Sequence, residues 1–365
     1  MEKILDLYTD YLQVTFRGAR ATGLSDVLDN SYSHDQITRL LSGSDFGSRE
    51  LWQSVKPLVR THQQSGACLI FDDSIIEKPH TGESELATWH FDHSKGRPVK
   101  GIGMLTAFYH AQSERNSQPL RVPVGYELIR KPIEYCDIET RKQKRVSKVT
   151  KNEMLRQMVP QCIRNDLLFR YVLGDSWFAA TENMSFVHEK GKIFIFDLKT
   201  NRSAAKSGAA RKKGRSRVPG ISEMGLPEMT PVQVWPKDLD IPVLVVKQAF
   251  KNEGGSEGLR YLATNDLNLP AGQITATCQK RWGVEEYHKS IKQDTAVAKS
   301  PTKTIRTRSD HVFASLLAYV KFEKLKFADK TNHFALKSKL YIAAVKAAFK
   351  ELYSWQQPMA ADCVM

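Results

Sequence analysis

Three carboxylates occupy positions from which they could bind a metal ion together. Asp72 follows the apolar run "CLIF", Asp175 follows the apolar run "YVLG", and Glu285 lies in the charged segment "RWGVEEYHKSIKQ". Clustered carboxylates repel one another unless a cation lies between them, and oxygen ligands with open positions suit Mg²⁺ or Mn²⁺. Two such ions about 3.5–4 Å apart can activate a water or a 3′-hydroxyl in phosphodiester chemistry. The three residues therefore predict a nuclease or strand-transfer enzyme with two Mg²⁺ ions, for which Mn²⁺ can substitute.

Each carboxylate has an alternative that the sequence leaves open. Asp73 directly follows Asp72 and competes with it for the role of first ligand, and an ordinary turn at the end of a strand is a further alternative. Asp175 could instead cap the helix that follows it. Glu286 would replace Glu285 if the register of the pattern were off by one residue.

The segment around Glu285 has the periodicity of a helix that we expect to begin near Thr275. Arg281 lies four residues before Glu285 and Lys292 lies seven residues after it. At about 100° per residue these three side chains share one stripe, and neighbouring apolar residues form a second stripe that could face a core. The structural alternative is a solvated helix with an i,i+4 ion pair, which contributes only a few tenths of a kcal/mol.

The elements that must position these residues predict a mixed α/β fold. Groups that follow the carboxyl ends of strands tend to gather at one rim of an open sheet, so Asp72 and Asp175 should meet there. A helix packed along the sheet would add Glu285. The expected order is helices over residues 1–65, strands at 67–75, 101–111 and 119–129, a basic loop at 141–151, a helix at 152–167, a strand at 169–178, a short helix, a strand at 193–202, a β-rich insertion at 203–272, and closing helices.

Composition favours a polyanionic partner, with nucleic acid first. The 365 residues include 54 Lys and Arg against 40 Asp and Glu, which gives a net charge of +14. No apolar run reaches the length of a membrane span, and the first residues do not have the pattern of a signal peptide. The five cysteines show no metal-ligand spacing, which is typical of a protein in a reducing cytosol.

With these residues in this order, the sequence resembles the DDE transposases of bacterial insertion sequences. It is most similar to the branch around insertion-sequence family four, whose signature is Y-(2)-R-(3)-E-(6)-K. Arg281, Glu285 and Lys292 match the last three terms, whereas Cys278 stands where the signature has tyrosine. The family's first aspartate has the pattern D-x-[ST] after an apolar strand, which residues 72–74 match as "DDS".

The resemblance covers residues 66–327 and implies a fold, an activity and partners. The fold is an RNase H-like mixed sheet flanked by helices, with an inserted β subdomain and helical N- and C-terminal regions. The activity is metal-dependent cleavage and strand transfer on double-stranded DNA, at the terminal inverted repeats of an element and at target DNA. Relatives cleave through a DNA hairpin and act as homodimers on DNA, and the resemblance implies a cytoplasmic, nucleoid-associated bacterial protein.

The resemblance also implies DNA contacts and a division of the chain. Arg281 and Lys292 would hold phosphates beside Glu285, and Lys289 is predicted to join them. Asn201 and Arg202 could contact phosphates at the same rim. The basic stretch is predicted to follow DNA, with a solvated linker as the alternative; its members are Arg211, Lys212, Lys213, Arg215 and Arg217. The expected regions are 1–65 (helical, DNA-binding), 66–202 (catalytic core, first part), 203–272 (β-rich insertion), 273–327 (closing helices of the core) and 328–365 (helical C-terminal region).

Three further segments have alternative interpretations. The helices flanking "SGSDFGS" could form a helix-turn-helix reader or a plain packing unit. "WHFDHSKGRPVKG" (89–101) could bind a metal through His90, Asp92 and His93, but a loop near DNA fits it better. Trp235 could stack on a flipped base, although a core position in the insertion fits it better.

Two other functions are compatible with parts of the sequence. A catalytically idle, DNA-binding transposase descendant could act as a repressor, and the loss of a carboxylate would favour it; all three are present. An RNase H-like repair or resolving nuclease is the second rival, but the β insertion and the helical N-terminus argue against it.

Overall fold

The chain is helical up to His62, as its periodicity predicts. The computed structural model describes residues 2–112, 118–207, 219–251, 255, 257–329 and 331–356. The hydroxyl of Ser33 accepts the amide of Gln36 at the start of the third helix, while the Gln36 side chain accepts the Ser33 amide. This capping box satisfies amides that a helix start leaves unpaired. The helices are α1 (Glu2–Val14), α2 (Ala21–Val27), α3 (His34–Gly43) and α4 (Ser48–His62).

One large mixed sheet carries the central part of the chain. Its first strand and its four-residue strand "YVLG" begin with residues buried on both faces, as expected for strands covered by helices. A separate two-stranded hairpin, β5 and β6, lies outside this sheet. The strands are β1 (Cys68–Glu77), β2 (Ala87–Asp92), β3 (Arg97–Ala111), β4 (Leu120–Leu128), β5 (Ile133–Asp137), β6 (Lys142–Val146), β7 (Tyr171–Gly174), β8 (Ile193–Leu198), β9 (Ala204–Ala205), β10 (Val232–Pro236), β11 (Val243–Lys251) and β12 (Glu257–Thr264).

The strand order confirms the predicted RNase H-like fold class. β3 pairs antiparallel with β1 and with β4, whereas β7 and β8 continue parallel to β1 on its other side. In the order β4-β3-β1-β7-β8 only β3 runs opposite to the others, which gives a mixed sheet consistent with an RNase H-like fold. On the far side β8 pairs with β12, and β11, β10 and β9 follow, so the strands of residues 203–272 extend the same sheet.

The remaining helices flank the sheet and then close the chain. They are α5 (Lys151–Arg164), α6 (Thr181–Glu189), α7 (Ala271–Gln279), α8 (Trp282–Asp294), α9 (Ile305–Asp329) and α10 (His333–Gln356). The single helix that we expected to begin near Thr275 is wrong in detail, because the chain leaves α7 at Lys280 and re-enters a helix at Trp282. Arg281 therefore lies in the turn between two helices.

Two segments interpreted as loops form strands instead. Residues 89–101 belong to the hairpin of β2 and β3, whose turn uses the positive φ of Gly96 (61°). The basic segment 141–151 contributes β6, which pairs with β5. Both segments are rich in charge, but their backbone groups find partners across a hairpin, which composition alone does not reveal.

The chain divides into two compact units. One unit comprises residues up to Phe46 and from Lys289 onward, and the other comprises Gly47–His288. Tyr8, Leu12 and Ile37 belong to the buried cluster of the first unit, and the sheet carries the core of the second. The predicted domain boundaries stay predictions. Among the described helices, none is long and apolar enough to cross a membrane.

Candidate active site

Asp72 lies within β1, which continues to Glu77, so the expectation that it follows the end of its strand is wrong, whereas Asp175 directly follows β7. The pairing of β1 with β7 aligns Ile70 with Leu173, and the same register continued by two residues aligns Asp72 with Asp175. Adjacent strands lie about 4.8 Å apart, so the two carboxylates leave the sheet side by side. The apolar residues that precede each aspartate are buried, which fixes both strands and therefore the position of the pair.

The electrostatics of Asp175 show that the two carboxylates repel each other. Burial raises the pKa of the Asp175 carboxyl, and the charges of Asp72 and Asp73 raise it further. The Trp177 amide, which donates to Asp175 Oδ1 at 2.9 Å, and the Arg281 guanidinium act in the opposite direction. A half-buried carboxylate beside a like charge is the environment that a bound cation relieves.

Asp73, the alternative first ligand, already has a cationic partner. Lys151 Nζ lies 2.7 Å from Asp73 Oδ1, at the start of α5. Successive residues of a strand point to opposite faces of the sheet, so Asp72 and Asp73 have different surroundings. The side chain of Asp72 is 13% exposed, and its neighbour on the helical side is His288 rather than a lysine or arginine.

Helix α8 packs closely on the sheet beside Asp72. A Cβ at Gly283 would lie 3.2 Å from Arg121 Nε and 3.3 Å from His110 Nδ1, so the absence of a side chain permits this approach. Tyr287 is fully buried 4.9 Å from the ring of Phe108. The tyrosine hydroxyl lies 3.5 Å from Thr106 Oγ1, and Thr106 is the strand partner of Asp72.

Glu285, the predicted third ligand, forms an ion pair with Arg281, and its role as a ligand stays a prediction. Its side chain is 47% exposed, and its Oε1 lies 3.7 Å from Arg281 Nη1. Arg281 also faces Asp197 of β8 at 4.0 Å. Glu286, the alternative to Glu285, pairs with Arg121. Among the described residues, no group of three or more His, Cys, Asp or Glu side chains is arranged to hold a metal ion.

Cys278 contacts Arg260, which in turn pairs with Asp197, and nothing in the sequence pattern indicated these contacts. Its thiol is buried, which raises its pKa to about 11. Arg260 donates to Cys278 Sγ at 3.2 Å and to both oxygens of Asp197 at 2.5 and 2.9 Å. Asp197 therefore holds Arg260 in a two-pronged contact and faces Arg281 as well.

The sequence interpretation also missed His288 and Trp177. His288 is 6% exposed, and its Nε2 lies 3.5 Å from Asp72 Oδ2. Trp177 is 46% exposed, and the ammonium groups of Lys151 and Lys199 lie 4.9 and 5.7 Å from its ring centre. The spacing E-x-x-H from Glu285 to His288 was the available signal for the histidine. No signal for Trp177 existed, since its lysines are distant in the sequence.

The other predicted DNA-contact residues are placed as follows. Asn201 is exposed, and Arg202 donates to Thr181 Oγ1; both line a cleft of about 470 Å³ with Trp177 and Lys199. Lys289 and Lys292 are exposed on α8. The predicted DNA-tracking residues Arg211, Lys212, Lys213, Arg215 and Arg217 lie outside the described residues.

The alternative metal site in the β2–β3 hairpin does not assemble. His90 is half-buried against Gly103, Asp92 accepts the amides of Ser94 and Lys95 in the turn, and His93 packs on Phe91. Trp235 is half-buried in β10, where it pairs with Ala205.

Comparison with known proteins identifies the family. A family model described as DDE superfamily endonuclease matches residues 14–232, a segment that contains Asp72 and Asp175 but not Glu285. No curated protein matches the chain. A solved structure described as a piggyBac transposase synaptic complex with hairpin DNA aligns with 100% of this chain and 73% of that chain, at 12% identity and a TM-score of 0.46. That likeness is too low to support a conclusion. The family match covers more than half of the chain, and the protein is thus a member of the DDE superfamily endonucleases.

Proposed function

We propose that this protein is a DNA transposase that cleaves and joins DNA with divalent metal ions. The observation that carries the proposal is the side-by-side placement of Asp72 and Asp175 within the segment that matches the family. Their mutual repulsion gives a reason for a cation at this rim, and the net charge of +14 gives a reason for a polyanionic substrate.

In this proposal the residues of the chain bind the metal ions and hold the DNA. Asp72 and Asp175 would hold Mg²⁺ or Mn²⁺, and Glu285 would complete the ligand set, a role that rests on the sequence pattern. When bound, the ions would stabilise charge on the scissile phosphate and activate a water or 3′-hydroxyl. Arg281 would offer a planar, two-pronged contact to phosphate, and Lys292 a compact point charge.

Trp177 is a further DNA contact that the structure supports. Exposed aromatic rings flanked by cations bind unpaired bases by stacking, while the cations attract the phosphates. The amide of Trp177 donates to Asp175, so the ring is held within two residues of a proposed metal ligand. Lys199, Asn201 and Arg202 line the same cleft and could contact the strand that leaves the stacked base.

We further propose a terminal-repeat substrate and a dimeric complex. The pattern of Arg281, Glu285 and Lys292 supports placement near insertion-sequence family four. Members of that branch bind the terminal inverted repeats of their element as dimers, cleave through a hairpin and join the 3′ ends to target DNA. Cys278 in place of the signature tyrosine would make this protein an unusual member of that branch.

The first test is the metal-dependent cleavage of a terminal-repeat duplex. Asp72→Asn, Asp175→Asn and Glu285→Gln should each lower the cleavage rate by about a hundredfold or more, because each loses charge at a metal ligand. DNA affinity should change little, since phosphate contacts made elsewhere supply most of it. Gel analysis of an end-labelled repeat with Mg²⁺ measures cleavage, and fluorescence anisotropy measures binding.

The matched control is Glu139→Gln, which changes an exposed carboxylate in the turn of the β5–β6 hairpin. It should cleave at the rate of the unmodified protein. If Asp73→Asn abolishes cleavage while Asp72→Asn does not, then Asp73 rather than Asp72 is the first metal ligand. If all three site variants cleave normally, the proposal fails.

The ion pair between Arg281 and Glu285 favours one alternative, an idle DNA-binding descendant that represses its element. Such a protein would bind the repeats with Glu285 held by Arg281. The same experiment separates the two functions, because a repressor binds the repeat and cleaves neither strand with Mg²⁺ or Mn²⁺.

A further inference from the structure

The imidazole of His288 is buried beside the proposed metal site without a hydrogen-bond partner. Neither ring nitrogen has one among the described residues, and the side chain is only 7% exposed. Leaving a buried polar group unpaired is unfavourable, so such groups in native proteins call for a partner. The nearest charged group is the carboxylate of Asp72, with Oδ2 at 3.5 Å from Nε2.

The separation of these two atoms suits ligands of one metal ion. A hydrogen bond between nitrogen and oxygen normally spans about 2.7–3.2 Å, shorter than the 3.5 Å observed. Two neighbouring ligand atoms about 2.1 Å from one octahedral ion lie about 3.0 Å apart. The observed gap is about 0.5 Å wider, so a bound ion would draw Nε2 and Oδ2 slightly together.

Helix α8 carries a spacing by which helices supply metal ligands. Glu285 and His288 are three residues apart, so they lie on the same side of the helix about one turn from each other. A Glu-x-x-His pair of this kind binds metals in helical bundles. The burial of Tyr287 against Phe108 fixes the helix, so His288 is held toward β1 rather than free to turn away.

We propose that His288 is a ligand of the ion that Asp72 holds, which makes this a mixed nitrogen and oxygen site. The inference rests on the proposed function, in which Asp72 binds a divalent metal ion. Imidazole suits transition metals, whereas Mg²⁺ strongly prefers oxygen. The site should therefore bind Mn²⁺ more tightly than Mg²⁺, and the preference should depend on His288.

The rival role for His288 is to orient Asp72 from outside the coordination sphere. Histidines and carboxylates form such pairs around many metal sites. The two roles differ in a measurable way, because only a nitrogen bound to Mn²⁺ couples directly to its unpaired electrons.

The experiment is pulsed electron paramagnetic resonance of the full-length protein loaded with one equivalent of Mn²⁺. The unmodified protein should show ¹⁴N modulation from a bound imidazole. His288→Gln should lose this modulation yet still bind Mn²⁺, with an affinity at least about tenfold lower in calorimetry, while its Mg²⁺ affinity changes less. His288→Asn serves as a second variant if the glutamine does not fold.

His90→Gln is the matched control, because His90 is also a histidine with a buried, unpartnered Nε2. It should retain the ¹⁴N modulation. Mn²⁺ that binds in an Asp72-dependent way without ¹⁴N modulation overturns this inference and leaves the proposed function standing. Modulation that persists in His288→Gln overturns it too. If the protein binds no Mn²⁺, or if Asp72→Asn leaves binding unchanged, both proposals fail.

Discussion

At the residue scale, Trp177 is an exposed aromatic side chain next to the proposed metal site, and we propose that a DNA base stacks on it. Its ring lies between two lysines, and one of them, Lys151, also pairs with Asp73. Its backbone amide donates a hydrogen bond to Asp175 Oδ1. A base stacked on this ring would bring its phosphate near both aspartates. Stacking of the base would therefore also position the phosphate at the proposed metal site.

We expect Trp177→Ala to weaken binding of a terminal repeat with an unpaired end by about 5- to 150-fold, which corresponds to about 1–3 kcal/mol for one stacked base. Trp177→Phe should restore much of the affinity, because any aromatic face can stack. Fluorescence anisotropy with open-ended and fully paired repeats measures the effect, and the fully paired duplex should show the smaller loss.

Trp89→Ala provides the control for this prediction. Trp89 is similarly exposed and lies near one lysine, Lys100, on the β2–β3 hairpin. Two outcomes would count against a stacking role for Trp177. One is an equal loss of DNA affinity in Trp89→Ala and Trp177→Ala, and the other is an equal loss for Trp177→Ala on the open-ended and the fully paired repeat.

At the scale of the elements, helix α9 carries a buried carboxyl group, that of Asp310. Asp310 is buried in α9, where its Oδ1 accepts the Phe46 amide at 3.1 Å. Its other oxygen has no hydrogen-bond partner in the described part of the chain. Burial raises the pKa of this carboxyl to about 7, although the Phe46 amide and Arg306 oppose the shift.

The raised pKa of Asp310 predicts a pH-dependent stability. In the unfolded chain an aspartate has a pKa near 3.9, so the folded state binds the proton more tightly. The charged carboxylate therefore destabilises the fold above about pH 7, and this penalty decreases as the pH falls from 7 toward 4. Asp310→Asn keeps an acceptor for the Phe46 amide and removes the charge.

We expect Asp310→Asn to unfold at a higher temperature than the unmodified protein at pH 8, with a difference that shrinks at pH 5. Thermal unfolding followed by circular dichroism at both values measures this. The control is Asp26→Asn, at an exposed position of α2. A variant that is less stable at pH 8 than the unmodified protein would show that the carboxylate has a stabilising partner.

At the scale of the whole molecule, the excess of positive charge should govern DNA binding. Each phosphate that a lysine or arginine neutralises releases counterions, so log K falls with log[salt] by about 0.9 per contact. The net charge of +14 leaves ample basic residues for such contacts. The basic stretch around Arg211 is the densest cluster that the sequence offers.

Replacing Arg211, Lys212 and Lys213 with Ser should therefore flatten the salt dependence, by up to about 2.7 in slope if all three contact phosphates. Titrations of a labelled repeat at several salt concentrations give the slope. A charge-matched control replaces Lys339, Lys346 and Lys350, which are exposed on α10. An unchanged slope for the first variant, or equal changes for both, would remove this stretch from the DNA interface.

Short-range patterns in the sequence determined the fold class and the buried strands that precede the aspartates. Runs such as "CLIF" and "YVLG" are apolar at every position, which predicts buried parallel strands, but β1 continues past Asp72 to Glu77, so the end of an apolar run did not mark the end of that strand. Helical periodicity likewise predicted α1 to α6 in outline. It failed at Arg281, where a turn separates α7 from α8 although the spacing of the side chains suits one helix.

Only the tertiary structure decided which side chains meet. The choice of partners for Asp72 and Asp73 depends on α8 and α5, which lie far away in sequence. The same is true of the contact of Asp197 with Arg260 and Arg281. Periodicity reports how a segment alternates between buried and exposed positions, but it carries no information about which distant segment covers it. The register of β1 with β7 and the close approach of α8 supply that information, because packing of the sheet fixes both.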